Sequence, residues 1–387
     1  MQGELYFAKD SCCGTSERDT FFLHVGHMHA SERKERDLHD LLMCGIFILF
    51  CCRFGTVKSH EEREIAMWIG NLEIDKPVFL APMAGVTDWA YRMVCAELGA
   101  GVTVTEMVSS RALVYKDQKS AKLLRKNEGS LCGAQIFGND PAVMAEGARL
   151  ALEISGCDFL DINMGCPMPK IANSGDGSGL MRTPELAGRI VEAVVKAVDV
   201  PVTVKCRLGW DKGSMNVLDF TRRMEDSGAA MVAVHGRTRS QLYSGTADWD
   251  MITKVKNQLS IPVIANGDIV GGESAVKCLK RTGADGIMIG RSVFGDPWIF
   301  EEIQAALKGE EYAGRPCLKD RIAVAVHQFE LSEQDHGEKI ACLEARKHFA
   351  WYLKGVRNAS FYKREISSLT TMADIYRVAK EVVRDLE

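Results

Sequence analysis

What this 387-residue chain lacks narrows its class before any motif is read. It has no apolar run of the roughly 18 residues that would read as a membrane-spanning helix. The longest, Leu41–Cys52, has 12 residues. That run also makes a poor secretory core, because it follows the mixed-charge stretch Ser31–Asp40 and leads to no small-residue cleavage pattern. A one-sided charge is missing too: 48 Lys plus Arg against 52 Asp plus Glu leave −4. No global basic coat therefore marks a protein wrapped in nucleic acid, although a local basic face is compatible with this balance. The 13 cysteines include no C-x-x-C pair, and in a long chain without a leader they read as reduced thiols of a cytoplasmic protein. Apolar residues at 46% and charged residues at 26% exclude a disordered, fibrous or mostly membrane-embedded chain. At roughly 100–200 residues per domain, one large domain plus a smaller one, or two to three ordinary domains, are available.

The first 66 residues differ from the rest. Cys12, Cys13, Cys44, Cys51 and Cys52 lie there, with His24, His27, His29, His39 and His60. The His24, His27, His29 cluster is the one hint of a metal, and no metal site is expected from it. The expectation is that residues 1–66 stand outside the working domain, poorly ordered, with the natural start at Met67. A chain beginning there should keep its activity and solubility.

After Met67, which opens a lead-in strand, short β-branched runs alternate with amphipathic stretches, the pattern of parallel βα units. The runs begin at Val78, Val102, Gly133, Phe159, Val202, Met231, Pro262 and Gly286. Between them, Pro184 opens a stretch with apolar residues at i, i+3 and i+4, and other helix-like segments end at Gly228 and Gly283. Eight such strands with helices over about 240 residues predict a (β/α)8 barrel. An open doubly wound sheet would need fewer strands and a G-x-G-x-x-G turn, which is absent. The barrel is expected over residues 67–307 and a small helical domain over residues 315–387.

Barrel active sites form at the C-terminal ends of the strands, and here those ends are polar. They carry Pro82-Met83-Ala84, Glu106, Gln135, Asn163, Lys205 with Arg207, His235 with Arg237, Asn266-Gly267-Asp268 and Gly290-Arg291. Any one alone is as well explained as a strand cap; eight together are not. The glycine turns after strands seven and eight stand where barrels commonly bind phosphate, and Arg291 adds a charge. Lys205 would suit the N1–O2 edge of a reduced flavin, and Gln135 its pyrimidine edge. Cys166, between Gly165 and Pro167, sits at a strand end in a rigid turn, where a thiol can act as nucleophile or acid. The nearby Gly175–Leu180 segment reads as a mobile loop over the site.

The strings APMAGVTD, TEMVS, GAQIFG, DINMGCP, VPVTVKCRLGW, VHGRTR, IPVIANGDI, GADGIMIGR and ARKHFAWYLKG together resemble the tRNA-dihydrouridine synthases, especially the bacterial B-type branch. The resemblance runs from about Ile69 to at least Lys354 and leaves residues 1–66 out. It implies FMN held by Pro82, Met83, Ala84, Gln135, Lys205, His235, Asn266, Gly267, Asp268, Gly290 and Arg291, with NADPH as reductant. It implies hydride transfer from flavin N5 to uracil C6, and proton donation to C5 by Cys166. The target uridine must leave the folded tRNA to be reached. Asn163, Arg207, Arg237, Arg346 and Lys347 are the candidate tRNA contacts. In the helical tail, basic residues interleave with Phe349, Trp351, Tyr352, Phe361 and Tyr362, so aromatics are expected inward and charges toward tRNA. A monomer without metal or membrane attachment is expected.

Two other readings compete. A flavin barrel acting on a free pyrimidine, of the dihydroorotate type, would reduce or oxidise free bases and not tRNA. An RNA-binding module that has lost catalysis would purify without flavin.

Overall fold

The computed structural model describes residues 67–386; the expectation for residues 1–66 falls outside the described residues. The chain opens with β1 (Met67–Ile69) and β2 (Leu72–Ile74), paired antiparallel across a turn at Gly70. A single lead-in strand was expected. Instead the hairpin packs Met67, Ile69 and Ile74 against Phe79, Phe159, Met231 and Met288 of the barrel strands, covering the end of their core.

The barrel strands are β3 (Val78–Leu80), β4 (Val102–Val104), β6 (Leu131–Phe137), β7 (Phe159–Met164), β8 (Val202–Cys206), β9 (Met231–His235), β10 (Val263–Asn266) and β11 (Gly286–Ile289). The two-residue β5 (Val108–Ser109) pairs onto β6 and was not foreseen. All eight run parallel in sequence order, with β11 pairing to β3 and β4 to β6, so the sheet closes. This is the predicted (β/α)8 barrel. Side chains alternate across each strand: Phe79 faces the inner cluster while Val78 and Leu80 face the helices. Both faces are buried, which is why the strands read as continuous apolar runs.

The surrounding helices are α1 (Trp89–Glu97), the short α2 (Ser110–Val114) and α3 (Gln118–Lys122), α4 (Pro141–Ser155), the one-turn α5 (Pro169–Ala172), α6 (Pro184–Val195), α7 (Val217–Asp226), α8 (Trp249–Gln258), α9 (Gly272–Thr282) and α10 (Ile299–Lys308). Their ends follow local chemistry. The Asp140 carboxylate accepts from the Val143 N–H at the start of α4, Pro141 occupies the first turn, and Gly156 ends the helix in the left-handed region. On α6 the buried face is Ala187, Ile190, Val191 and Val194, a 3.6-residue stripe against the sheet.

Beyond the barrel come α11 (Leu318–His336), α12 (Glu338–Tyr352), α13 (Ser360–Ile366) and α14 (Met372–Leu386). Their core, built on Phe329, Phe349, Tyr352 and Ile375, also takes in Val94 and Leu98 of α1 and Trp298. Helical tail and barrel thus share one apolar cluster. Among the described residues no helix is long and apolar enough to cross a membrane.

Candidate active site

The C-terminal ends of the strands carry a connected polar network. Thr203 Oγ1 donates to Asp161 Oδ1 at 2.6 Å, and Gln135 Nε2 donates to Asp161 Oδ2 at 2.6 Å. Gln135 Oε1 accepts from Asn163 Nδ2 at 2.9 Å, and Asn163 Oδ1 accepts from the Cys166 N–H at 2.9 Å and the Gly165 N–H at 3.2 Å. The order of bonds fixes the amide orientations: each acceptor oxygen meets a donor, and a flipped Gln135 would face two like groups. Asp161 was not foreseen. Burial pushes its carboxyl up to about 6, while Thr203 and Gln135 hold it down by donating to it. Its signal was a lone carboxylate amid the apolar run of β7.

The Cys166 turn is held from the far side as well. Ser178 donates to the Cys166 carbonyl through Oγ at 2.7 Å and through its backbone N–H at 3.2 Å. Gly177 has φ +54°, and a Cβ there would lie 3.1 Å from Cys166 Cβ. Here the sequence reading fails: the Gly175–Leu180 segment was expected to be mobile, yet Gly177–Arg182 is a 3-10 turn whose Gly177 to Met181 are buried. Its glycines serve close approach, and the segment is scaffold for the cysteine. Desolvation pushes the Cys166 thiol above its ordinary value, against the opposing pull of the Met168 backbone, Arg207 and Lys205. A thiol so placed keeps its proton at neutral pH.

Lys205, at the end of β8, donates to Asn266 Oδ1 at 3.2 Å. Burial, then the charge of Arg207, brings its ammonium down to about 8. An ammonium has three donors, and among the described residues this one makes a single hydrogen bond. Asn266 is itself fixed by Nδ2 donating to the Met288 carbonyl at 2.7 Å. Beside it, His235 is held neutral, its pKa driven far down by burial and then by Lys205, Arg207, Arg237 and Arg291. Four cations thus converge on one imidazole.

The arginines divide by their partners. Arg207 donates through Nε to the Gly165 carbonyl and through Nη1 to the carbonyls of Thr238 and Leu242, each at 2.9 Å, which immobilises its charge beside the cysteine turn. Arg237, only 2% exposed, grips Asp268 with Nη2 at 2.7 and 2.8 Å and donates to the carbonyls of Ser244 and Gly245. Arg237, expected as a tRNA contact, is thus paired with a carboxylate and two loop carbonyls within the fold. The Asp268 carboxylate, expected to face the cofactor, also accepts from the Ala247 N–H at 2.6 Å. Its own backbone is in the left-handed region at φ +56°.

The remaining expected residues surround this network. Pro82, Met83 and Ala84 lie in the loop after β3, where the Met83 N–H donates to Thr87 Oγ1 at 2.8 Å. The next residue, Gly85, donates to the Glu106 carboxylate and accepts from Lys347 of α12. Arg346 donates twice to the Leu369 carbonyl, at 3.0 and 2.7 Å. Both tail cations thus meet carbonyl oxygens brought near by the fold, Arg346 from a half-buried position and Lys347 from an exposed one. Phe349, Tyr352 and Tyr362 are buried as expected, Trp351 stacks on Phe294 with centroids 4.3 Å apart, and Phe361 is exposed. Gly267 is crowded by His235, whereas a Cβ on Gly290 would meet nothing within 4 Å, so space beside Arg291 is open. Among the described residues no group of three or more His, Cys, Asp or Glu is placed to hold a metal ion.

The arrangement can bind a planar, anionic group and deliver a proton from a fixed neutral thiol. A half-buried ammonium with unused donors, the open space at Gly290 and the converging cations all fit a flavin mononucleotide. The sequence model described as dihydrouridine synthase (Dus) matches residues 79–386. Among curated relatives, tRNA-dihydrouridine synthase B of Vibrio cholerae is 43% identical over 312 residues, covering 79% of this chain and 95% of that protein. The probable tRNA-dihydrouridine synthase of Rickettsia conorii is 41% identical over 302 residues, covering 77% and 91%. Among solved structures, histamine dehydrogenase from Rhizobium sp. 4-9 superposes with a TM-score of 0.50 at 16% identity, covering 69% of this chain and half of that one (50%), a likeness of fold alone. With the family match spanning the barrel and the tail, and relatives above 40% identity over most of their length, the chain belongs to the dihydrouridine synthase family, on its bacterial B-type branch.

Proposed function

We propose that the protein reduces specific uridines in tRNA to 5,6-dihydrouridine, with FMN as its cofactor, NADPH as the reductant and Cys166 as the proton donor. The observation that carries this reading is the Cys166 thiol, held neutral in a turn that Asn163 and Ser178 fix from two sides beside Lys205 and Arg207. Lys205, Gln135, His235 and Asn266, with the backbone of Pro82 to Ala84, Gly267, Asp268 and Gly290, would hold FMN, and Arg291 would pair with its phosphate. When bound, FMN reduced by NADPH supplies the hydride for uracil C6.

The chain's own residues do the rest. Cys166 keeps its proton at Sγ until carbon C5 becomes basic, and then donates it. Asn163 and Arg207 sit close enough to the cysteine turn to orient a uracil while they hold that turn in shape. The shared barrel and tail surface would carry the tRNA body, with the exposed Lys354, Arg357, Lys363 and Arg364 as its phosphate contacts.

The direct test is dihydrouridine mapping in tRNA from cells with and without the gene. One or more positions should lose the modification in its absence; identical maps would refute the reading. A second expectation concerns pH. The Lys205 cation is present below about 8 and lost above it, so FMN binding by the apoprotein should weaken as pH rises through that value. Titration by quenching of flavin fluorescence checks this, and affinity constant from pH 7 to 9.5 would remove Lys205 from the cofactor site.

A further inference from the structure

The tail was expected to supply the RNA face, and two of its cations are already engaged by carbonyls, the half-buried Arg346 by Leu369 and the exposed Lys347 by Gly85. Arg182, from the turn after β7, joins a second set of cations and rings, the half-buried Trp210 and the exposed Tyr243, on the two loops after β8 and β9. These loops are joined by backbone bonds: the Leu208 N–H donates to the Arg237 carbonyl at 3.1 Å, and those of Arg239 and Ser240 donate to the Gly209 and Trp210 carbonyls at 2.9 Å. Arg207 and Arg237 pin the second loop from below through four carbonyls. It is therefore a rigid rim, and what it displays is fixed.

It displays two cation–aromatic stacks. The guanidinium carbons of Arg182 and Arg239 lie 4.1 and 4.4 Å from the centre of the Trp210 ring. Arg291 lies 4.5 Å from the centre of Tyr243, which is 50% exposed, with Arg207 on the same ring at 5.9 Å. Among the described residues, Arg182, Arg207 and Arg239 have no carboxylate within 4 Å, and Arg239 Nε is buried without a hydrogen-bond partner. An open depression of about 610 Å³ lies between the loops, lined by Lys212 and Gln241 among others. Its one carboxylate, Asp211, is turned onto its own loop, accepting from Gly213 and Ser214 at 2.9 Å.

Like charges gathered on aromatic rings without counter-ions repel one another, and a polyanion relieves this most fully. A polyanion that also carries planar bases gains stacking on the same rings. We infer that the rim formed by Arg182, Trp210, Arg239 and Tyr243 is a nucleic-acid contact on the barrel itself, gripping the unpaired tRNA strand next to the uridine being reduced. It rests on the proposed tRNA reduction. Arg182 and Arg239 neutralise phosphates, and Trp210 and Tyr243 stack on flanking bases. No covalent step is involved.

The test is binding of an unmodified tRNA transcript to the FMN-loaded enzyme over a range of salt concentrations. In the double variant Arg182→Gln/Arg239→Gln, Kd should rise about tenfold, and the slope of log Kd against log salt should flatten by about 1.5, since each phosphate left without its cation removes roughly 0.7–0.9. Trp210→Ala should raise Kd about tenfold with the slope unchanged, and Trp210→Phe should restore most of the affinity. The flavin absorbance of each variant reports folding. If the double variant loses flavin, the exposed Arg182→Gln alone should flatten the slope by about 0.8. Unchanged affinity and slope in these variants, or weakening confined to a Lys363→Gln/Arg364→Gln variant of the tail, would overturn the inference. If the wild-type enzyme forms dihydrouridine while the rim variants bind as it does, only the rim assignment fails. If it forms none in any tRNA, the functional reading itself fails.

Discussion

Cys166→Ala is expected to retain its flavin spectrum and lose dihydrouridine formation by about 100- to 10,000-fold, the range of a positioned general acid. The expectation follows from the geometry of the turn. Asn163 and Ser178 bond only the backbone of Cys166, so alanine leaves the loop in place and removes the donor alone. The pH dependence of the transfer step separates this role from a nucleophilic one. Because desolvation raises the thiol pKa, the active, protonated form persists through neutral pH and is lost as pH rises through that raised value. In single turnovers at saturating tRNA, wild-type enzyme should therefore show a falling alkaline limb that shrinks in Cys166→Ala. Whatever limb persists in the variant belongs to Lys205. Full dihydrouridine yield from the variant would remove Cys166 from the mechanism.

Arg237→Ala should have the largest effect on stability. The guanidinium is buried, and it holds Asp268 and two loop carbonyls at once. Removing one member of a buried pair typically costs about 3–5 kcal/mol. Asp268 is 31% exposed on its side chain, so water recovers part of its solvation and the lower end, about 3 kcal/mol, applies. Urea denaturation followed by tryptophan fluorescence measures it. Arg237→Lys should recover only part of the loss, since an ammonium cannot fork across carboxylate and carbonyls together. A loss below about 1 kcal/mol in the alanine variant, the range of an ordinary exposed pair, would mean that the loop after β9 is held by other bonds.

Much of the barrel was legible because its strands are buried on both faces. Val78–Leu80, Val202–Cys206 and Met231–His235 stand out as β-branched or aliphatic runs, and their polar ends coincide with the open mouth of the barrel. The network behind Cys166 was half legible. Gln135 and Asn163 were singled out, while Asp161 on the other side of Gln135 was not, although it sits two residues before Asn163 in the chain. Partners supplied by distant chain were invisible. Nothing near Lys347 in sequence announces the Gly85 carbonyl, and nothing near Arg346 announces Leu369. Glycine misled for a related reason. In Gly175–Leu180 its richness suggested motion, whereas a Cβ on Gly179 would lie 2.5 Å from the Ala172 carbonyl oxygen, so the residue marks tight packing. The same limit hid the rim, whose rings and guanidinium groups come from residues 182, 210, 239 and 243.

The bond from Lys347 to Gly85 makes the loop after β3, proposed to hold the cofactor, a joint possession of the two halves of the chain. Glu106 holds that loop from the barrel side and Lys347 from α12, while Val94, Leu98 and Trp298 complete the apolar core of the tail. An isolated barrel would therefore expose two aliphatic side chains and an indole, and release one of the two grips on the loop beside Ala84. The tail acts as a keystone. Enzyme cut in the connection after Lys308 should lose flavin before it loses its strands, and no shorter version of this protein that lacks the tail should remain yellow.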